Sequence, residues 1–139
     1  MAIKTQTSAP AERYIETTGG RKTAIARARL FSKKGDFVIN DKPYTQYFKV
    51  PKNQMAIRAP FELAKLADKF SATIKVVGGG VNAQAEAIRN ALAKALVVIN
   101  PELKKILRQA GYVTRDPRRV ERKKYGLKKA RRAPQWAKR

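Results

Sequence analysis

The sequence contains no cysteine and no histidine. Without cysteine there is no disulfide, no thiolate nucleophile and no thiolate metal site. Without histidine the side chain most often used as a general base near neutral pH is missing too. The composition therefore argues against an enzyme, and neither a metal nor a cofactor is expected. Acidic residues are scarce: ten Asp and Glu stand against 32 Lys and Arg, giving a net charge of +22 and a pI near 10.8. Repulsion on that scale disfavours a compact state and favours a polyanionic partner. No apolar run approaches the roughly 18 residues of a membrane span. The opening MAIKTQTSAPAE has neither the apolar centre of a signal peptide nor the Arg-rich amphipathic face of a transit peptide. A soluble cytoplasmic protein is expected, with no membrane partner and no homo-oligomer.

The positive charge is concentrated at one end. Residues 1–112 carry 20 basic and 8 acidic side chains, whereas residues 113–139 carry 12 and 2. The stretch GLKKARRAPQWAKR, from Gly126 to Arg139, has no acidic residue and almost nothing to bury. Such a segment cannot offset its ordering entropy by itself and needs something negative to order it. Three parts follow: a flexible N-terminal arm over 1–12, a globular α/β domain over 13–112, and an extended basic tail over 113–139.

Within the domain, Tyr14 to Phe31 reads as one long strand or a strand pair. In TAIARARL, Ala24, Ala26, Ala28 and Leu30 fall on one face, with Thr23, Ile25, Arg27 and Arg29 on the other. A second strand contains Phe37 and Ile39 facing inward, after a turn over Lys33 to Asp36. Asn40-Asp41 supplies the next turn, and Pro43 to Phe48 is expected as a short third strand. Pro60 suits the first turn of a helix running to about Phe70, with Leu63, Leu66 and Phe70 on its stripe. SATIKVV is a further strand. Asn82 is expected to cap a helix with Ile88, Ala91, Leu92, Ala95, Leu96 and Ile99 in its stripe. Asn100-Pro101 starts another, with Leu103, Ile106, Leu107 and Ala110 inward and Gly111 ending it. The fold class is an α+β two-layer sandwich, a mostly antiparallel sheet with helices on one face. On the open face, Arg21 and Lys22 lead into Arg27 and Arg29, a row of cations on rigid backbone.

One motif points elsewhere. In VVGGGVNA, Gly78, Gly80 and Ala83 satisfy G-x-G-x-x-A between a strand and a helix, the dinucleotide fingerprint. The following helix leads to a second helix, so the next strand of a βαβ unit is missing, and Glu102 is badly placed for a ribose. A tight turn packing helix on strand is the plainer reading, in which Gly80→Val damages the turn. Helix N-terminal amides holding an RNA phosphate is a third. GGRKT is not a P-loop, since Ile15 stands where the first glycine belongs. Further on, VTRDPRRVERKKYG is expected as a short helix from Asp116 or Pro117 to Tyr125, stopped by Gly126. Its apolar residues, Val120 and Tyr125, are too few for a core or a membrane face. Nucleic acid remains, and long irregular basic segments suit folded RNA better than the regular readers of duplex DNA.

Four stretches carry a resemblance: GRKTAIARARL, KGDFVINDKPYTQYF, GGGVNAQAEAIRNALAKAL and, above all, TRDPRRVERKKYGLKKARRAPQWAKR. They resemble bacterial-type small-subunit ribosomal protein nine, over Tyr14 to Arg139. The family usually has glycine at the positions of Lys33, Ala83 and Glu86, His-Gly at Asn90-Ala91, and commonly Ser at Ala137. The carboxylate of Glu86 disfavours a phosphate beside it. The resemblance implies a fold like the second domain of small-subunit protein five, with a left-handed crossover. It also implies a structural protein that binds the ribosomal RNA of the subunit head, with a tail reaching the anticodon stem-loop of peptidyl-site tRNA. Neighbouring head proteins would be further partners. Candidate ribosomal-RNA ligands are Arg21, Lys22, Arg27, Arg29, Arg115, Arg118, Arg119, Arg122, Lys123, Lys124, Lys128, Lys129, Arg131 and Arg132; Lys138 and Arg139 are assigned to tRNA. The alternatives are a free-standing RNA chaperone and a nucleotide-binding enzyme using Gly78 to Gly80.

Overall fold

The computed structural model describes residues 13–138, so the arm assigned to 1–12 and the terminal Arg139 lie outside the described residues. Five strands and four helices follow in the order β1 (Tyr14–Arg21), β2 (Ala24–Phe31), β3 (Phe37–Ile39), β4 (Lys42–Pro43), α1 (Tyr44–Tyr47), α2 (Pro51–Leu63), β5 (Ser71–Val77), α3 (Val81–Ile99) and α4 (Leu103–Gln109). The fold is α+β. The sheet is mixed, with order β1-β2-β5-β3-β4: β5 runs parallel to β3 and antiparallel to β2. β5 thus enters between two strands that are consecutive in sequence.

Alternation makes the two faces of β2 different. Ala24, Ala26, Ala28 and Leu30 are buried, and the residues between them are exposed. Small side chains on this face let α3 lie close. The approach is tightest at Gly19, where a Cβ would stand 2.2 Å from the Ala87 carbonyl oxygen and 2.4 Å from the Ala91 nitrogen. Both neighbours are backbone and cannot move aside, so only glycine fits. α3 is buried along Ile88, Ala91, Leu92, Ala95 and Leu96, while Ile99 at its end is partly exposed. The core closes at the β3 end with aromatic rings: Phe61 lies 5.1 Å from Phe37 and 6.1 Å from Phe70, centroid to centroid.

Several local expectations are corrected. Pro60 does not open a helix. Pro51 does, at the first turn of α2, and Pro60 sits buried near its end. Besides Pro60, the apolar positions that α2 buries are Ile57 and Phe61, one turn apart, and Leu63 is left exposed. The stretch after Pro43 is a single helical turn, because burying Tyr44 and Phe48 together needs i, i+4 spacing. Asn82 caps nothing; its Oδ1 accepts a hydrogen bond from buried Asn53 at 3.0 Å, joining α3 to α2. In α4 Leu107 is buried and Leu103 half-buried, but Ile106 and Ala110 are exposed, since a two-turn helix offers one narrow stripe. Asn40 and Asp41 do form the turn after β3, both at positive φ (46° and 66°), a conformation these residue types tolerate. Gly111 follows α4 at φ 78°.

A candidate RNA-binding surface

The expected helix over 116–125 is absent. Residues 113–138 contain no helix or strand. Proline at 117 biases Asp116 toward extended backbone, and the Asp116 carboxylate accepts from the Arg118 amide at 3.0 Å, a local bond that competes with helix. No apolar face exists to oppose this: Val120 and Tyr125 are almost wholly exposed. Gly126 sits at φ 76°, and the backbone beyond it turns, with the Lys128 amide donating to the Arg132 carbonyl at 2.8 Å.

The first residues after α4 are nevertheless held. Buried Asn90, on α3, donates from Nδ2 to the carbonyls of Tyr112 and Val113, each at 2.9 Å. The Arg89 guanidinium lies over the Tyr112 ring at 5.0 Å. Arg115 donates to the Lys22 carbonyl at 3.3 Å, and Arg119 reaches the same oxygen at 3.5 Å. Lys22 stands at the tip of the β1–β2 hairpin with φ 52°, so its carbonyl projects toward the chain that crosses it.

Arg21 is the centre of this anchorage. Its Nε donates to Glu86 at 2.6 Å, Nη1 donates to the Arg118 carbonyl at 2.7 Å, and Nη2 lies 3.6 Å from Asp116. Arg118 closes the group with a forked contact to the Asp116 carboxylate. Hydrogen bonds from the Arg118 side chain and amide hold the Asp116 carboxyl far below its ordinary value, and the same pairing raises the Arg118 guanidinium. The residues missed in the sequence are thus Glu86, Asn90 and Asp116. Nothing in their own spacing marks Glu86 or Asn90, since their partners lie 65 and 22 or more positions away.

Arg27 and Arg29 point from the open face of the sheet, on opposite sides of the Glu16 carboxylate at 3.4 and 3.0 Å. Arg29 also lies over the Tyr14 ring at 5.1 Å. In the last segment Glu121 pairs with Lys124 and, at 2.8 Å, with Arg131. Arg122, Lys123, Lys128, Lys129, Arg132 and Lys138 are exposed and make no side-chain ion pair among the described residues. The structure brings Arg21, Lys22, Arg115, Arg118 and Arg119 together at the hairpin tip. It leaves Arg27 and Arg29 apart from them on the sheet.

The glycine turn packs on the tip of the β1–β2 hairpin. Gly78 and Gly79 are at φ 76° and 66° and pack on the backbone of Thr23 and Ala24. Gln84 donates across the turn to the Gly78 carbonyl at 3.0 Å. Gly80 has open space around its missing Cβ, contrary to the expectation that a larger residue there damages the turn. After α3 comes α4, and no further strand follows among the described residues.

Comparison with known proteins places the chain in a family. The model of the family described as Ribosomal protein S9/S16 matches residues 19–139. The chain is 46% identical over 128 residues to the small ribosomal subunit protein uS9 of Desulfovibrio desulfuricans, covering 92% of this chain and 98% of that one. It is 49% identical over 122 residues to the protein of the same name from Lawsonia intracellularis, covering 88% and 94%. With a match over most of its length, including the basic segment after α4, this chain belongs to the ribosomal protein S9/S16 family.

Proposed function

We propose that this chain, a structural constituent of the small ribosomal subunit, grips ribosomal RNA of the subunit head at two places. One is the open sheet face with Arg27 and Arg29. The other is the cationic stretch that begins at the hairpin tip and continues through Arg132. Residues 13–112 act as the folded body, in the manner of the second domain of small-subunit protein five, and residues 113–139 as an extended basic tail. Lys138 and Arg139 meet the anticodon stem-loop of peptidyl-site tRNA through its phosphates, and neighbouring head proteins complete the surroundings.

The observation that carries this reading is the family membership of a chain in which Arg122, Lys123, Lys128, Lys129 and Arg132, with no ion pair among the described residues, lie on irregular backbone. Such a segment gains order from phosphates, because it has no apolar face of its own. Binding to small-subunit ribosomal RNA should therefore fall on the order of 10³-fold or more between roughly 50 and 200 mM salt. Filter binding across a salt series measures it. A nearly flat log–log plot would end the reading.

A further inference from the structure

The open face of the sheet carries a cation that neither the charge pattern nor the family match singles out. β2 and β5 are paired so that Arg27 stands opposite Lys75, Arg29 opposite Thr73 and Ile25 opposite Val77. Arg27, Arg29, Thr73 and Lys75 line a hollow of about 80 Å³. Like charges directly opposite across a strand pair repel. Here they cannot turn away, because the alternate residues Ala26, Ala28, Ile74 and Val76 are locked in the core. Glu16 answers both arginines from the β1 side, whereas Lys75, on the far side of β2, has no ion pair among the described residues. Three cations against one carboxylate leave the hollow positive. One rung along, Ile25 and Val77 are 60% and 73% exposed, a flat β-branched ledge beside a charged hollow.

We infer that this hollow seats one backbone phosphate of RNA, held by Lys75 and Arg27 with the Thr73 hydroxyl as a further donor. The attached sugar then lies on the Ile25–Val77 ledge. Same-face rungs are about 7 Å apart along a strand, so the ledge is within reach of a sugar bonded to that phosphate. The occupant is RNA backbone because three cations and a hydroxyl donor around a hollow of about 80 Å³, beside an apolar shelf, match a phosphate and its attached sugar. The inference rests on the RNA-binding function proposed above.

Its test is filter binding of the full-length protein to transcribed small-subunit ribosomal RNA over a salt series. Lys75→Gln should weaken binding several-fold and reduce the log–log salt slope by about 0.7 to 0.9, the contribution of one phosphate. Lys75→Arg should restore both. Val77→Ser should weaken binding and leave the slope unchanged. A Lys75→Gln protein with unaltered slope and affinity, while the unchanged protein binds normally, overturns the seat and spares the wider reading. The same result with loss of incorporation into the subunit assigns this face to a protein partner and also overturns the seat. Failure of the unchanged protein to bind RNA overturns both.

Discussion

Gly79 and Gly80 are adjacent and look alike in the sequence, yet physical constraint separates them. A Cβ at Gly79 would lie 2.8 Å from Ala24 Cβ on a backbone at φ 66°. At Gly78 the obstacle is the Thr23 carbonyl oxygen at 2.7 Å. Left-handed backbone alone costs a non-glycine residue about 1–2 kcal/mol, so Gly79→Ala should destabilise the protein by about 2 kcal/mol or more once the contact is added. Gly80 is at φ −90° with nothing within 4 Å, in the N-cap position of α3. Serine there supplies a capping oxygen and narrows the unfolded ensemble. Gly80→Ser should therefore be neutral or stabilising by up to about 1 kcal/mol. Urea denaturation followed by circular dichroism distinguishes the two. Asp116 is the other residue whose environment sets a testable value. Its carboxyl is depressed by hydrogen bonds from Arg118, so the stability it contributes is fully present above its ordinary value of 3.8. That stability is lost progressively as pH falls below 3.8 toward the lower folded value. A carbon-13 titration of the side chain should stay flat from pH 7 to about 4, and Arg118→Gln should bring the midpoint back toward 3.8. A midpoint near 3.8 in the unchanged protein would remove the proposed pairing.

At the scale of elements, what could be read in the sequence was what periodicity records. β2 and β5 are half-buried strands, and α3 is long with a continuous stripe; each shows its period plainly. α2 buries few apolar side chains and carries a proline near each end, so the wrong proline reads as its start. Tyr44 to Phe48 is too short for two-residue and four-residue spacing to be told apart. Of the candidate site, the cations themselves were evident, but their division into two places was not. Arg21 is 65 positions from Glu86 and 97 from the Arg118 carbonyl, and only the folded chain brings these together. That anchorage has a consequence for the segment after α4. Its first residues are fixed by Asn90, Arg115 and Arg21, whereas the hydrogen bonds of residues beyond Gly126 run to one another and to Glu121 and Lys124, not to the folded body. Brief trypsin treatment of the RNA-free protein should therefore cut first between Arg122 and Arg132. Arg21→Met should open Arg115, Arg118 and Arg119 to early cleavage as well. Equal early cleavage at all these sites in the unchanged protein would show that the anchorage does not hold in solution.

For the whole molecule, a fixed root gives the basic segment after α4 a defined starting point. The core positions α3, α3 presents Asn90 and Glu86, and these set where the chain leaves the body. From Gly126 the last fourteen residues can span about 45 Å when extended, enough to cross a thickness of RNA. Pro134 keeps its neighbourhood from coiling into a helix. Trp136, 81% exposed, offers a face for stacking on a base or bracing against a sugar. Lys138 is a point charge, and the sequence adds in Arg139 a planar fork suited to a phosphate. The tRNA contact proposed above would have to accept many tRNAs, which calls for contacts that do not depend on sequence, and backbone phosphates supply them. Deleting Ala137 to Arg139 should therefore leave subunit assembly nearly intact, since the cations from the root through Arg132 remain. It should weaken peptidyl-site tRNA binding by about 1–3 kcal/mol, to a similar extent for every tRNA. Arg139→Lys should cost less than the deletion, because the charge survives and only the fork is lost. Filter binding of several tRNAs to small subunits carrying each variant measures both effects. Unchanged affinity throughout, or a loss confined to one anticodon, would refute a phosphate-reading tip, because a contact to the backbone cannot distinguish one tRNA from another.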